Sequence, residues 1–291
     1  MLGNSDPNPS CAGLAAVILS SNSAVLQRST TVTLPSFETP WSRDTDLRPR
    51  IYILQVRDRH RAERPMVASI LVEREETIEH DRDGQLLQAV IRLHFRRLRP
   101  SDEMHHFDRR PAFSGCYRPI GPDGPMVALT SGSMTGGAVF LDLPGLEGQH
   151  IGTYLMNEIV LWAKQWPEAE VRSVSLLAAQ GHNENRERRN RFYEQFGLSF
   201  DYVDVERRAG NSRPLRAAAL TPTDAWRENL EIVQLDAFLG DLLTEKRRLA
   251  SDLSARTRAV SELREELQEA ARRPLWWIIG QLFRRLRDLV W

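Results

Sequence analysis

The sequence predicts an α/β domain followed by a long helical arm of coiled-coil type. Short aliphatic and β-branched runs alternate with stretches of helical period between about Arg50 and Val205. Beyond Leu235, apolar residues recur in alternating steps of four and three, the seam of a left-handed coiled coil. A chain of 291 residues also exceeds the usual single-domain size, so one domain with attachments is expected. The boundaries read as a disordered or lightly packed leader over 1–45, the α/β domain over 46–222, a coiled-coil helix over 223–272 and an amphipathic tail over 273–291.

The leader is rich in Ser, Thr, Asn and Pro without a sustained period. Its apolar stretch Cys11–Leu19 resembles a signal core, yet no Lys or Arg precedes it and Ser20-Ser21-Asn22-Ser23 interrupts it. Cys11 and Cys116 stand far apart and form no disulfide framework, which suits a reducing, cytoplasmic setting.

Ile51–Val56, Met66–Val72 and Leu86–Phe95 read as strands, with Asp81-Arg82-Asp83-Gly84 turning between the last two. From Arg96 to Gly124, Pro100, Pro111, Pro119 and Pro122 argue against long regular structure and mark a lid or substrate loop. Ala138–Leu143 reads as a buried strand. Pro144-Gly145-Leu146-Glu147-Gly148 then turns the chain into an amphipathic helix with Ile151, Leu155, Ile159 and Trp162 on one face, closed by Pro167. Val174–Ala178 is the next strand, Asn185–Phe196 a second helix stopped by Gly197, and Leu198–Val205 a returning strand.

Several chemistries are excluded. Basic and acidic side chains balance at 39 each, so no overall field draws the chain to nucleic acid, and none is expected as a partner. His94, His105, His106, Asp108 and Cys116 match no standard zinc spacing, so no metal is expected. Thr130–Gly137 lacks the Lys of a P-loop, and no Gly-x-Ser-x-Gly elbow occurs.

What the pattern does offer is a strand feeding a glycine turn into a helix. Free backbone N–H groups and the helix dipole at such a turn favour an anion such as pyrophosphate, although helix caps of many α/β proteins look alike. Leu143-Pro144-Gly145-Leu146-Glu147-Gly148-Gln149-His150-Ile151-Gly152-Thr153-Tyr154-Leu155 resembles the acyl-CoA signature of the GNAT superfamily of N-acetyltransferases. Asn185–Leu198, with Arg-Phe-Tyr-Glu-Gln-Phe-Gly at its end, resembles that family's following helix. Glu147 stands where the signature has Gln or Arg, and His150 where it has its first Gly.

The resemblance implies a GNAT-like mixed central sheet with flanking helices and transfer of an acyl group, acetyl first, from acetyl-CoA to an amine. It implies that Leu143, Gly148, Gln149, His150, Ile151, Gly152, Thr153 and Asn185 line the cofactor site. It also implies that Tyr193 protonates the departing thiolate; read without the family, Phe192 and Tyr193 pack the helix against the sheet. Asp142 is the candidate base, with His150 and Glu147 nearby in sequence and a water chain as the alternative. The other reading open at this point is a GNAT-shaped scaffold without catalysis.

In the arm, Leu239, Leu242, Lys246, Leu249, Leu253, Arg256, Val260, Leu263, Leu267 and Ala270 continue the seam from Leu235. Residues 235–270 therefore predict a homo-oligomer, with Lys246 and Arg256 weakening the seam and helping to set its register; packing back on the domain is the alternative. The tail puts Leu275, Ile278, Leu282, Leu286 and Leu289 on one stripe beside Arg284, Arg285 and Arg287, with Trp276, Trp277 and Trp291. Residues 275–291 suit either an anionic membrane surface, peripheral to the inner face, or a protein groove.

Overall fold

β1 (Ile51–Arg57) and β2 (Met66–His80) form the first hairpin of a mixed sheet, and their Arg57–Met66 end lies at a register shift. This is a computed structural model that describes residues 50–99, 112–121, 124–134, 143–180 and 184–272, together with 275, 278–280 and 282. The leader, Asp142 and most of the expected Ala138–Leu143 strand lie outside the described residues, as do the aromatic and basic residues of the tail.

β2 buries alternate side chains, as a strand with one face on the core must. It extends well past Val72 because the same face carries Arg74 and Glu76, which are buried in an ion cluster with Glu158. Charged residues at those positions made the strand look finished. β3 (Leu86–Arg97) follows the Asp81–Gly84 turn, in which Asp81 Oδ1 accepts from the amides of Asp83 and Gln85. β4 (Ala112–Arg118) lies inside the Pro-rich segment expected to be irregular. Pro111 and Pro119 flank this strand and do not interrupt it.

β5 (Met126–Ala128) pairs antiparallel with β4 and parallel with β6 (Glu170–Val171). The sheet is completed by β10 (Leu215–Arg216) beside β6 and β11 (Leu230–Gln234) beside β1, giving the order β10-β6-β5-β4-β3-β2-β1-β11. The parallel connection from β5 to β6 runs through α1 (Ile151–Ala163), the expected amphipathic helix. Its Ile151, Leu155, Ile159 and Trp162 are all essentially inaccessible to solvent. Gly115 on β4 allows the close approach of α1: a Cβ there would lie 3.0 Å from Ile159 Cγ2 and 3.1 Å from the Ala128 carbonyl.

The strand expected at Val174–Ala178 is reduced to β7 (Ser175–Leu176), because the chain has just left the large sheet at Val171 and joins a second one. That three-stranded sheet has the order β7-β9-β8, with β8 (Phe200–Tyr202) inside the expected Leu198–Val205 run and β9 (Gly210–Ser212) between them. Between β7 and β8 lies α2 (Glu184–Glu194), ended by Gly197 at φ 88°, a left-handed position that glycine takes at little cost.

Two compact units divide between Ile232 and Val233. Residues 223–234, grouped with the arm on sequence, instead form a 3-10 turn at Ala225–Glu228 and β11. The arm is α3 (Leu235–Arg272), one helix of 38 residues with none of them buried. Among the described residues no helix is long and apolar enough to cross a membrane.

Candidate functional site

Strand directions locate the start of α1. β2 and β4 run opposite to β1, β3 and β5, and β6 runs with β5, so the carboxyl ends of β1, β3, β5 and β6 share one edge of the sheet. The turn 143–150 lies on that edge. Arg59, just beyond β1, donates from Nη1 to the Gly148 carbonyl at 3.3 Å. Arg97, the last residue of β3, reaches the Pro144 carbonyl at 3.4 Å and the Val67 carbonyl at 3.3 Å.

The parallel pairing of β5 and β6 ends at the same edge. It covers only Met126–Glu170 and Val127–Val171, after which the chain crosses to the smaller sheet through β7. The carboxyl ends of parallel strands are the usual ligand position in α/β sheets.

Within the turn, Gly145, Gly148 and His150 have positive φ, at 77°, 76° and 59°. His150 thus takes a left-handed conformation, at a cost of about 1 kcal/mol for a residue with a Cβ. Its ring is held on both sides. Arg59 Nη1 lies 2.5 Å from Nε2, and Asn229 Oδ1 lies 3.2 Å from Nδ1. A guanidinium only donates, so Nε2 accepts and Nδ1 carries the proton that goes to Asn229. Burial and the Arg59 cation both hold the His150 pKa below its ordinary value.

Gln149 is buried and engaged through both atoms of its amide. Its Oε1 accepts from the Arg59 amide at 3.1 Å and Asn229 Nδ2 at 3.2 Å, and its Nε2 donates to Asp58 Oδ1 at 3.0 Å. Asn229 also donates to the carbonyls of Arg57 and Gln149, both at 3.1 Å. The side chains of Gln149 and His150 therefore brace the turn, and what these residues offer a ligand is backbone.

Leu143 is buried at the start of the turn, and Ile151 is buried at the start of the helix. Gly152 is only half-buried. No acidic residue lies in the first turn of α1, no side chain caps it, and Glu147 is exposed. The amides of Ile151, Gly152 and Thr153 precede the first intrahelical bond, from Tyr154 N to the His150 carbonyl at 2.9 Å. Thr153 Oγ1 accepts from Gln195 Nε2 at 3.5 Å, a long contact that brings the end of α2 beside the start of α1.

On α2, Asn185 lies in the first turn and accepts from Arg188 at 2.9 Å. Tyr193 is buried, edge-on to Phe192 at 5.0 Å and to Phe200 at 6.0 Å. Its hydroxyl has no hydrogen-bond partner among the described residues. Burial raises its pKa, and the nearby Arg189 cation opposes that only in part. Asp142 lies outside the described residues. Of the histidines and acids weighed as metal ligands, His105, His106 and Asp108 also lie outside them, and no group of three or more potential ligands occurs among the rest.

Sequence reasoning missed Asp58, Arg59 and Asn229. All three sit in polar turns far from residue 149 along the chain, and no local pattern links them to it. The one available signal is the density of charge in Arg57-Asp58-Arg59-His60-Arg61. Compared with protein-family models, curated proteins and solved structures, the chain matches none of them.

Proposed function

We propose that the α/β unit is a GNAT-type N-acyltransferase that moves an acyl group, acetyl first, from an acyl-CoA to an amine. The observation that carries this reading is that the β5–β6 pairing ends, and the chain leaves for the smaller sheet, at the edge where the glycine turn opens α1. The acyl-CoA would lie at that edge with its pyrophosphate over the amides of Ile151, Gly152 and Thr153. The residues present fit such a ligand. Gly152 leaves the backbone approachable, no carboxylate opposes an anion in the first helical turn, and Arg59, shared with Glu228 at 3.9 Å, adds a cation next to it.

Attack by the amine nitrogen on the thioester carbonyl breaks the C–S bond, so the sulfur departs needing one proton and the new amide nitrogen must lose one. A buried phenol with an unengaged hydroxyl suits the first task, and Tyr193 supplies that proton. The second proton leaves through Asp142 or a water chain. Arg59 and Asn229, by fixing His150 in its left-handed form, hold the amides in place before the substrate arrives.

Release of free thiol from acetyl-CoA, followed over a panel of primary amines, tests the reading. Tyr193→Phe is expected to lower kcat by about a hundredfold with the affinity for acetyl-CoA unchanged. Equal turnover by the two proteins removes Tyr193 from the mechanism.

A further inference from the structure

We infer that α3 pairs with α3 of a second copy as an antiparallel two-helix coiled coil, Leu239 of one chain facing Ala270 of the other. The arm requires cover of some kind: Leu242, Leu249, Leu253 and Leu263 each expose half or more of their surface along one stripe. The heptad period says that the cover is another helix, and the charges within the seam choose its direction. Leu239, Lys246, Leu253, Val260 and Leu267 take the first core position of each heptad, and Leu242, Leu249, Arg256, Leu263 and Ala270 the second.

In a parallel, in-register pair each core residue meets its own copy. Lys246 would then face Lys246 and Arg256 would face Arg256, two like-charged layers in a stripe that is otherwise apolar. In an antiparallel pair, first positions meet second positions, and the register that joins Leu239 to Ala270 uses the whole seam. It sets Lys246 against Leu263 and Arg256 against Leu253 of the second copy. Asp252 of the second copy then flanks Arg256, which can extend to that acid at the rim, while the long stem of Lys246 lets its charge reach solvent. Sliding the helices by one heptad either brings Lys246 opposite Arg256 or leaves the first turns of the arm uncovered. Three unfavourable contacts remain: Arg264 of the second copy beside Lys246, the two Arg256 in adjacent layers about the twofold axis, and Glu245 beside Glu266 of the second copy, where Arg248 pairs with Glu245 from its own helix at 3.4 Å. The pair has twofold symmetry and closes on itself, which limits assembly to a dimer.

The full chain carrying Cys11→Ser, with Cys116 shielded by burial, allows a direct test. Sedimentation equilibrium should give the mass of a dimer. Under mild oxidation, Leu239→Cys/Ala270→Cys should form a cross-linked dimer on a non-reducing gel, and Ala270→Cys alone should not. Asp252→Lys should weaken the dimer about tenfold without loss of helix signal, since the change puts a cation beside the seam cation Arg256. Any mass other than the dimer's, cross-linking by Ala270→Cys alone, or an unchanged dissociation constant in the charge-reversed variant overturns the proposal.

Discussion

His150 shows how one side chain can hold a strained backbone in a useful shape. Its left-handed φ of 59° is kept by Arg59 on one ring nitrogen and Asn229 on the other, and the Arg59 contact requires a neutral ring that accepts at Nε2. Because its folded pKa lies below the unfolded value, the unfolded chain takes up the proton first as pH falls. Stability contributed by this residue is therefore present above about pH 6.5 and declines below it. Thermal unfolding between pH 7.5 and 5 should accordingly show a smaller fall in Tm for His150→Asn, which tolerates the left-handed backbone and does not titrate, than for the unsubstituted protein. An identical slope for both proteins would mean that His150 is not the group being protonated. His150→Gly frees the strain but gives up both ring contacts, and it should retain the fold with a modestly lower Tm.

At the scale of elements, the sheet and α1 are joined through charge as well as apolar packing. Arg74 Nη1 donates to Glu158 Oε2 at 2.6 Å, while its Nε and Nη2 donate to Glu76 Oε1 at 2.9 and 2.6 Å. Burial works against the Arg74 charge, but Glu158 and Glu76 outweigh it and raise its pKa. One helical turn earlier, Tyr154 donates to Tyr52 at 2.7 Å, so α1 meets β1 and β2 through a polar layer within the core. Glu158→Ala leaves Arg74 buried beside a single acid and should cost about 3–5 kcal/mol in denaturant unfolding, whereas Arg74→Met/Glu76→Leu/Glu158→Leu should come close to neutral. Gly197→Ala should cost about 1–2 kcal/mol, because its φ of 88° and the Ala219 carbonyl 3.2 Å from a new Cβ both resist a side chain. These elements also mark where the sequence was legible. The period of α1, the Gly197 stop and the Asp81–Gly84 turn follow from local chemistry and could be read directly. The far half of β2 could not, because Arg74 and Glu76 look solvated until Glu158 is brought to them by the fold. β4 was hidden because the prolines that flank it look like interruptions. The backbone part of the candidate site was legible as a glycine turn before a helix, but its supports at Asp58, Arg59 and Asn229 arise only from tertiary pairing.

The whole molecule joins an α/β unit to a helix that buries nothing of itself. Since the arm adds no buried residue, a chain ended after Gln234 should unfold at the same Tm while losing most of its helical ellipticity; a lower Tm would show that the arm stabilises the sheet. The central claim, that the start of α1 holds an acyl-CoA, is tested most directly by calorimetric titration of acetyl-CoA into the full chain and into Gly152→Glu. A carboxylate in the first helical turn favours the helix dipole but would occupy the space that the proposal assigns to a phosphate, so the variant should stay folded and lose the ligand. Saturable micromolar binding by the unsubstituted chain, abolished in Gly152→Glu, is the expected result. No binding by the folded unsubstituted chain, or equal binding by both, would contradict the account.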